Sequence, residues 1–310
     1  MTNQRLVLLV SHTAREEALS ATLECAEALV NAGITPVMEQ QQLQSTLEYA
    51  KRVSSQVGAS VLELGKDAQE TDLELAVVLG GDGTILKAAE LVRASQTPLL
   101  GINLGHVGFL AESEKNEIGS TIARVVAKDY LVKERLTLDV SVMLDGKEVY
   151  RTWALNEATV EKNARERMLE VVVEVDGRPL SSFGCDGIVI STPTGSTAYA
   201  FSAGGPVVWP SVDALLMVPL SAHALFARPL VISPNSLVAV EVLKRSAGAG
   251  VLWCDGRRTT DLPAGARVEV RKSDKPVRLA RLRQGPFTDR LVRKFSLPVE
   301  GWRGPDSKKD

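Results

Sequence analysis

Cysteine and histidine are scarce. The chain has three of each among its 310 residues. Cys25, Cys185 and Cys254 are widely spaced, no C-x-x-C pair occurs, and His12, His106 and His223 form no metal-ligand spacing. This argues against a disulfide framework and a structural zinc site, and it fits a reducing cytoplasm. Charge of one sign is also missing: 36 Lys and Arg offset 38 Asp and Glu, for a net charge of −2. The balance argues against a global electrostatic grip on nucleic acid or on an anionic membrane, while leaving room for a local basic pocket. No apolar run approaches the roughly 20 residues of a membrane span. Leu6 to Val10 is short and lacks a small-residue cleavage site, so it reads as a first strand rather than a signal peptide. Three familiar motifs are absent: the Gly-x-Gly-x-x-Gly fingerprint, the Gly-x-x-x-x-Gly-Lys-[Ser/Thr] P-loop and the Gly-x-Ser-x-Gly elbow. What is present is 45% hydrophobic and 24% charged residues, an ordinary globular composition. The length suits one large domain or two ordinary ones.

Two hydrophobic periods divide the chain. Up to about residue 130 they alternate. A continuous apolar run at Leu6–Val10 predicts a strand buried on both faces, and Leu75–Leu79 and Leu99–Asn103 read as further strands. Leu19, Leu23, Ala26 and Val30 recur at helical spacing before Gly33, and Ile85–Ala94 and about Glu114–Lys128 read as further helices. This β-α-β alternation predicts an α/β domain over 1–130, a parallel sheet with flanking helices. Strict alternation then takes over. Leu138, Val140 and Val142 lead to Asp145-Gly146, and Leu169, Val171 and Val173 lead to Asp176-Gly177. Both are hairpin signals. Val238–Val242 and Val268–Val270 repeat the pattern. Residues 131–285 therefore read as an all-β domain of antiparallel, sandwich-like build. Residues 286–310 form a last segment, with an amphipathic helix expected over Phe287–Phe295.

The densest motif is Gly80-Gly81-Asp82-Gly83-Thr84, between a strand and a helix. Glycines there let a ligand approach the backbone, and the helix N-terminus suits phosphate. A carboxylate beside phosphate needs a task, such as holding a metal or taking the proton of an attacking hydroxyl. A tight turn capped by Asp82 has the same pattern. With Thr84 as N-cap, Lys87 lies in the first helical turn, where a cation opposes the dipole unless an anion binds. A solvated Lys87 is the plainer alternative. The second motif runs from Asp186 to Tyr199. Five hydroxyl side chains between Ser191 and Tyr199 offer hydrogen bonds to a polar ligand, and Tyr199 offers a ring for stacking. A Ser/Thr-stabilised turn is the competing reading. Asn156-Glu157 is a third, weaker signal, because neighbours on a strand face opposite ways unless a bulge re-aims one.

At these residues the chain resembles the NAD kinase family of bacterial type. The likeness rests on Gly80–Thr84, Gly101–Leu110, Asn156-Glu157, Asp186–Pro206, Val218–His223, Arg228–Leu230 and Asp255-Gly256. The first motif is shared with diacylglycerol, sphingosine and 6-phosphofructokinase-type kinases. The Ser-Thr-Pro-Thr-Gly-Ser-Thr-Ala-Tyr string with Asn-Glu is the specific part. The resemblance implies an α/β domain and a β-sandwich-like domain with the site between them, and a C-terminal segment packed back on the first. It implies phosphoryl transfer from ATP, or from polyphosphate, to the adenosine ribose 2′-hydroxyl of NAD, giving NADP. A divalent ion (Mg²⁺) would accompany the donor. Asp82 matches the general base, Gly83 a backbone contact with the dinucleotide, and Lys87 a phosphate contact. Asn156 and Glu157 match the pair that holds the adenosine portion. Arg167 lines the nucleotide site, and Asp186 matches the acid at the nicotinamide end. Thr197, Ala198, Tyr199, Ala200, Phe201 and Ser202 match the segment around the adenine. Ser221 and His223 match a loop that reaches a neighbouring subunit, which implies a homodimer or homotetramer. His106 lies in a glycine-rich turn where phosphate would meet it. Arg257 departs from the family's usual Gln.

Overall fold

The computed structural model describes residues 4–55, 57–105, 108–165, 167–282 and 285–299. The chain divides into two compact units, Met1–Glu134 with Arg278–Asp310, and Arg135–Val277.

The first unit is built on an eight-stranded sheet. In spatial order its strands are Leu62–Glu63, Thr35–Met38, Leu6–Ser11, Leu73–Leu79, Leu99–Asn103, Val277–Arg281 and Leu131–Arg135. Ser113–Glu114 pairs in parallel with Leu99–Asn103. The central strands are parallel, as continuous apolar runs require: Leu8 sits opposite Val37 on one side and Ala76 on the other. Strand order reverses between Leu6–Ser11 and Leu73–Leu79. In such sheets ligands bind in the crevice outside the carboxyl ends at the point of reversal. The Gly80–Thr84 turn leaves the sheet there. Leu29, Ile118, Ile122 and Val125, from the helices Glu16–Asn31 and Ile118–Val126, pack on Val7, Leu9, Leu75 and Val77.

The second unit is a pair of six-stranded antiparallel sheets. One runs Arg178–Cys185, Leu169–Val175, Val238–Val242, Arg267–Lys272, Leu138–Leu144, Lys147–Ala154. The other runs Leu230–Ile232, Leu215–Leu220, Gly187–Ser191, Glu157–Lys162, Gly250–Cys254, Arg258–Leu262. One core joins them, with Val140, Val171 and Val240 from the first and Val160, Ile188 and Leu252 from the second. The Asp145-Gly146 and Asp176-Gly177 pairs all take positive φ, between 48° and 77°. This is the type I′ turn their sequence predicts.

The strands Leu131–Arg135 and Val277–Arg281 belong to the first unit's sheet, although both fall within 131–285. Strand period reports strand; it does not report which sheet a strand joins. The helix expected from Ile85 begins at Asp82, with Gly81 as its N-cap in place of Thr84. Gly80 is required there for space: a Cβ would approach Thr84 Oγ1 to 2.5 Å.

Candidate active site

In the first unit the site centres on Asp82. Its carboxylate caps nothing in its own helix. Instead Oδ2 accepts the Phe109 N–H at 3.0 Å and Oδ1 the Leu110 N–H at 3.1 Å. A Cβ on Gly108 would land on this carboxylate, so the approach of the two loops is as close as glycine allows. Gly83 follows in the first turn and has open space where a Cβ would lie. Lys87 falls in the second turn, where the dipole penalty has faded, and its Nζ pairs with Glu39 Oε2 at 2.6 Å. His106 lies outside the described residues.

In the second unit the organising group is a buried acid that the sequence reading left at the margin. Asp255 Oδ1 accepts the N–H of Asn156 at 2.7 Å, and Oδ2 that of Leu155 at 2.9 Å. Arg258 Nη2 donates to Oδ2 at 2.8 Å, and its guanidinium stacks 4.5 Å over the Trp153 ring. Burial pushes the Asp255 carboxyl up, against the pull of these donors. The grip sets the chain just before the strand Glu157–Lys162, so Asn156 precedes the alternation and both side chains are buried. This answers the problem of two adjacent polar residues without a bulge.

Glu157 is the unusual member. Its Oε2 is buried with no hydrogen-bond partner among the described residues. Burial first, and the neighbouring Asp255 second, raise its pKa to about 8; the backbone N–H of Tyr199 pulls the other way. A buried polar atom left without a partner costs roughly 1–3 kcal/mol, which a ligand group could recover.

The hydroxyl-rich segment divides into scaffold and surface. Ser191 Oγ donates to the Asn156 carbonyl at 3.0 Å, and Thr192 Oγ1 to the Leu155 carbonyl at 2.6 Å. Ser196 Oγ donates to the Pro193 carbonyl at 2.7 Å and accepts the Val208 N–H at 2.9 Å. A Cβ on Gly195 would strike the Asn156 carbonyl. These hydroxyls are spent on locking the loop, so here the turn reading holds. Thr197 donates to the Thr194 carbonyl at 3.3 Å, and Ala198 N-caps the short helix Tyr199–Ser202. Tyr199, Phe201 and Ser202 are exposed, whereas Ala200 is buried against Val189 and Val218.

Asp186 pairs with Lys162 Nζ at 2.5 Å. That hydrogen bond, helped by the Ser221 hydroxyl, holds Asp186 below its ordinary value. Arg167 is exposed and its Nη1 donates to the Ala247 carbonyl at 2.8 Å. Lys162 carries no signal in the sequence. Only the antiparallel register, Glu161 against Gly187, brings it to Asp186. Arg257 is exposed in the turn after Asp255.

A family model described as the ATP-NAD kinase N-terminal domain matches residues 7–130, and one described as the ATP-NAD kinase C-terminal domain matches residues 155–282. The chain belongs to the ATP-NAD kinase family. Within that family, an NAD kinase of Leifsonia xyli subsp. xyli is 60% identical over 99% of this chain and 100% of its own length. An NAD kinase of Thermobifida fusca is 56% identical over 100% of this chain and 94% of its own. Among solved structures, yeast NADH kinase complexed with NADH superposes with a TM-score of 0.85 at 21% identity, covering 96% of this chain and 89% of that one. An NAD kinase from Archaeoglobus fulgidus in complex with ATP gives 0.68 at 24% identity, covering 94% and 100%. At those identities the structural likeness is one of fold.

Proposed function

We propose that the chain is an NAD kinase that moves the terminal phosphoryl group of ATP to the adenosine ribose 2′-hydroxyl of NAD, with Asp82 as general base. Relatives at 56–60% identity that bear this name support the overall reaction. The assignment of the base rests on one observation: two backbone N–H groups fix the Asp82 carboxylate at the carboxyl end of Leu73–Leu79. Each oxygen accepts one of them and keeps a second lone pair for a substrate proton. The ribose oxygen bonds to the terminal phosphorus, the bond to the bridging oxygen breaks, ADP leaves, and the proton passes to Asp82. Base assistance of this kind contributes about 10²–10⁴-fold.

The remaining site residues bind. Glu157, neutral at pH 7 with a pKa of about 8, has an O–H to donate to ribose, and Asn156 lies beside it. The exposed ring of Tyr199 suits stacking on the base, with Thr197, Ala198, Ala200, Phe201 and Ser202 shaping the wall around it. Asp186, Arg167, Gly83 and Lys87 complete the contacts that the family pattern assigns. Among the described residues no group of three His, Cys, Asp or Glu side chains is placed to hold a metal ion. In this reading a Mg²⁺ ion comes with the donor, carried on its phosphates. Sharing of the Ser221–His223 loop within a cytoplasmic homodimer or homotetramer belongs to the same reading.

The test is NADP formation from NAD, Mg²⁺ and either ATP or polyphosphate, read by an NADP-specific dehydrogenase. Wild type makes NADP. Asp82→Asn turns over at least about tenfold to a hundredfold more slowly while the KM for NAD changes little. Unchanged turnover removes Asp82 as the base. A chain that binds NADP yet makes none from either donor is a sensor rather than a kinase.

A further inference from the structure

We infer that Arg290, on the helix Phe287–Phe295, positions the Asp82 carboxylate through the backbone of residues 109–111. The inference rests on the reading of Asp82 as the base.

The Asp82 oxygens are held by the N–H groups of Phe109 and Leu110, so their position is only as fixed as that backbone. Arg290 grips the same backbone from its other side. Nη1 donates to the carbonyls of Phe109 at 2.9 Å and of Ala111 at 2.8 Å, and Nη2 to Glu112 Oε2 at 2.6 Å. The Glu112 side chain is 3% exposed, and Arg281 reaches the same oxygen at 2.6 Å. The Glu112 N–H bonds the Gly101 carbonyl of the central strand at 2.8 Å. The Phe109 ring lies 5.9 Å from Phe287 and 5.8 Å from Phe295. One planar guanidinium thus ties three acceptors, two of them main-chain, into a fixed fork.

A cavity of about 360 Å³ opens beside this segment, with Gly108, Ala111 and Glu112 on one wall and Pro286, Asp289 and Arg293 on the other. On that side the ring contacts of Phe109 with Phe287 and Phe295 and the Arg290 fork together hold the backbone, and the fork supplies the hydrogen bonds. The Phe109 carbonyl that Arg290 takes belongs to the same peptide unit as the Leu110 N–H that Asp82 takes, and the Ala111 carbonyl follows directly after. A shift of the segment therefore moves the carboxylate, and displacements near 1 Å at a reacting group cost about 10²-fold in rate.

The test is the kinetics of Arg290→Met and Arg290→Lys, alone and combined with Asp82→Asn. Arg290→Met keeps the aliphatic stem and removes every donor. Its kcat falls about tenfold to a hundredfold, with the KM values for NAD and ATP held within about threefold. Arg290→Lys keeps a cation for Glu112 but loses the fork, and recovers part of the rate. In the Asp82→Asn background Arg290→Met lowers the residual rate by less than about threefold, because the group it positions is already gone. Should Arg290→Met fail to fold, Arg290→Lys is read by the same split of kcat from KM. A wild-type kcat, a loss confined to KM, or an equal loss in the Asp82→Asn background overturns the role of Arg290. Wild-type turnover in Asp82→Asn alone overturns the base assignment instead, so the two failures are told apart.

Discussion

At the scale of single residues, Glu157 carries the sharpest consequence. Its carboxyl titrates at about 8 in the folded chain, against an ordinary 4.5. A raised carboxyl pKa means that the folded state binds the proton more tightly than the unfolded one. Stability from this group is therefore complete below pH 4.5, declines as pH rises, and is lost above about 8, with a slope of at most about 1.4 kcal/mol per pH unit. Glu157→Gln removes that slope. Thermal unfolding followed from pH 5 to pH 8.5 should show wild type losing ground steadily to the variant. Asp255 is displaced upward as well and is coupled to Glu157, so the difference between the two proteins reports the Glu157 carboxyl together with its coupling to Asp255. A difference flat over that range would remove Glu157 as the group concerned. The sequence flagged Asn156-Glu157 only weakly. The reason is physical: the feature that makes the pair special is Asp255 holding amides about a hundred residues away, and no local pattern encodes that.

At the scale of elements, the segment Ser191–Ser202 shows how composition alone misleads. Its hydroxyls look like a ligand surface, yet Ser191 and Thr192 fasten the loop to residues 155–156, and Ser196 and Thr197 tie it to its own carbonyls. Thr192 makes two buried bonds, donating to Leu155 and accepting the Gly195 N–H at 3.0 Å. Thr192→Val keeps the shape and strands both partners. The expected loss is about 1–3 kcal/mol in a denaturant titration with unchanged m-value, because an unpaired buried polar group costs more than a made bond gains. A loss below about 0.5 kcal/mol would mean that water replaces the hydroxyl. The same reasoning explains the helix Asp82–Leu91. Apolar periodicity begins at Ile85, and Gly81 and Gly83 disfavour a helix, so the sequence pattern places the start one turn after Asp82, where the helix begins. The helix begins at Asp82, whose carboxylate accepts the N–H groups of a different loop. The hairpins at Asp145-Gly146 and Asp176-Gly177 were legible for the opposite reason: both the turn chemistry and the alternation are local.

At the scale of the whole molecule, the second unit is an insertion between strands of the first unit's sheet. The sequence showed the change of period near residue 130 and its return near 285. It did not show that Leu131–Arg135 and Val277–Arg281 stay with the first sheet, since sheet membership is fixed by distant partners. The insertion enters and leaves at one place. Leu138 pairs with Lys272, the Ser273 N–H bonds the Thr137 carbonyl at 2.8 Å, and the Thr137 hydroxyl bonds the Lys275 carbonyl at 2.7 Å. Cutting at 134/135 and 277/278 therefore leaves two ends already held side by side. The core between the two sheets, from Leu138 to Val270, is drawn wholly from within those limits. A unit with its own core and adjacent termini has what independent folding needs. The isolated segment Arg135–Val277 should give a β-type far-ultraviolet spectrum and one cooperative thermal transition. A segment that melts without cooperativity would show that this core is not sufficient by itself. The first unit has no such option. Its sheet closes only when Val277–Arg281 pairs with Leu99–Asn103, and the helix that bears Arg290 follows that strand. The brace on Asp82 is thus assembled from residues on both sides of the insertion, and it cannot form until the chain has passed through the whole of the second unit.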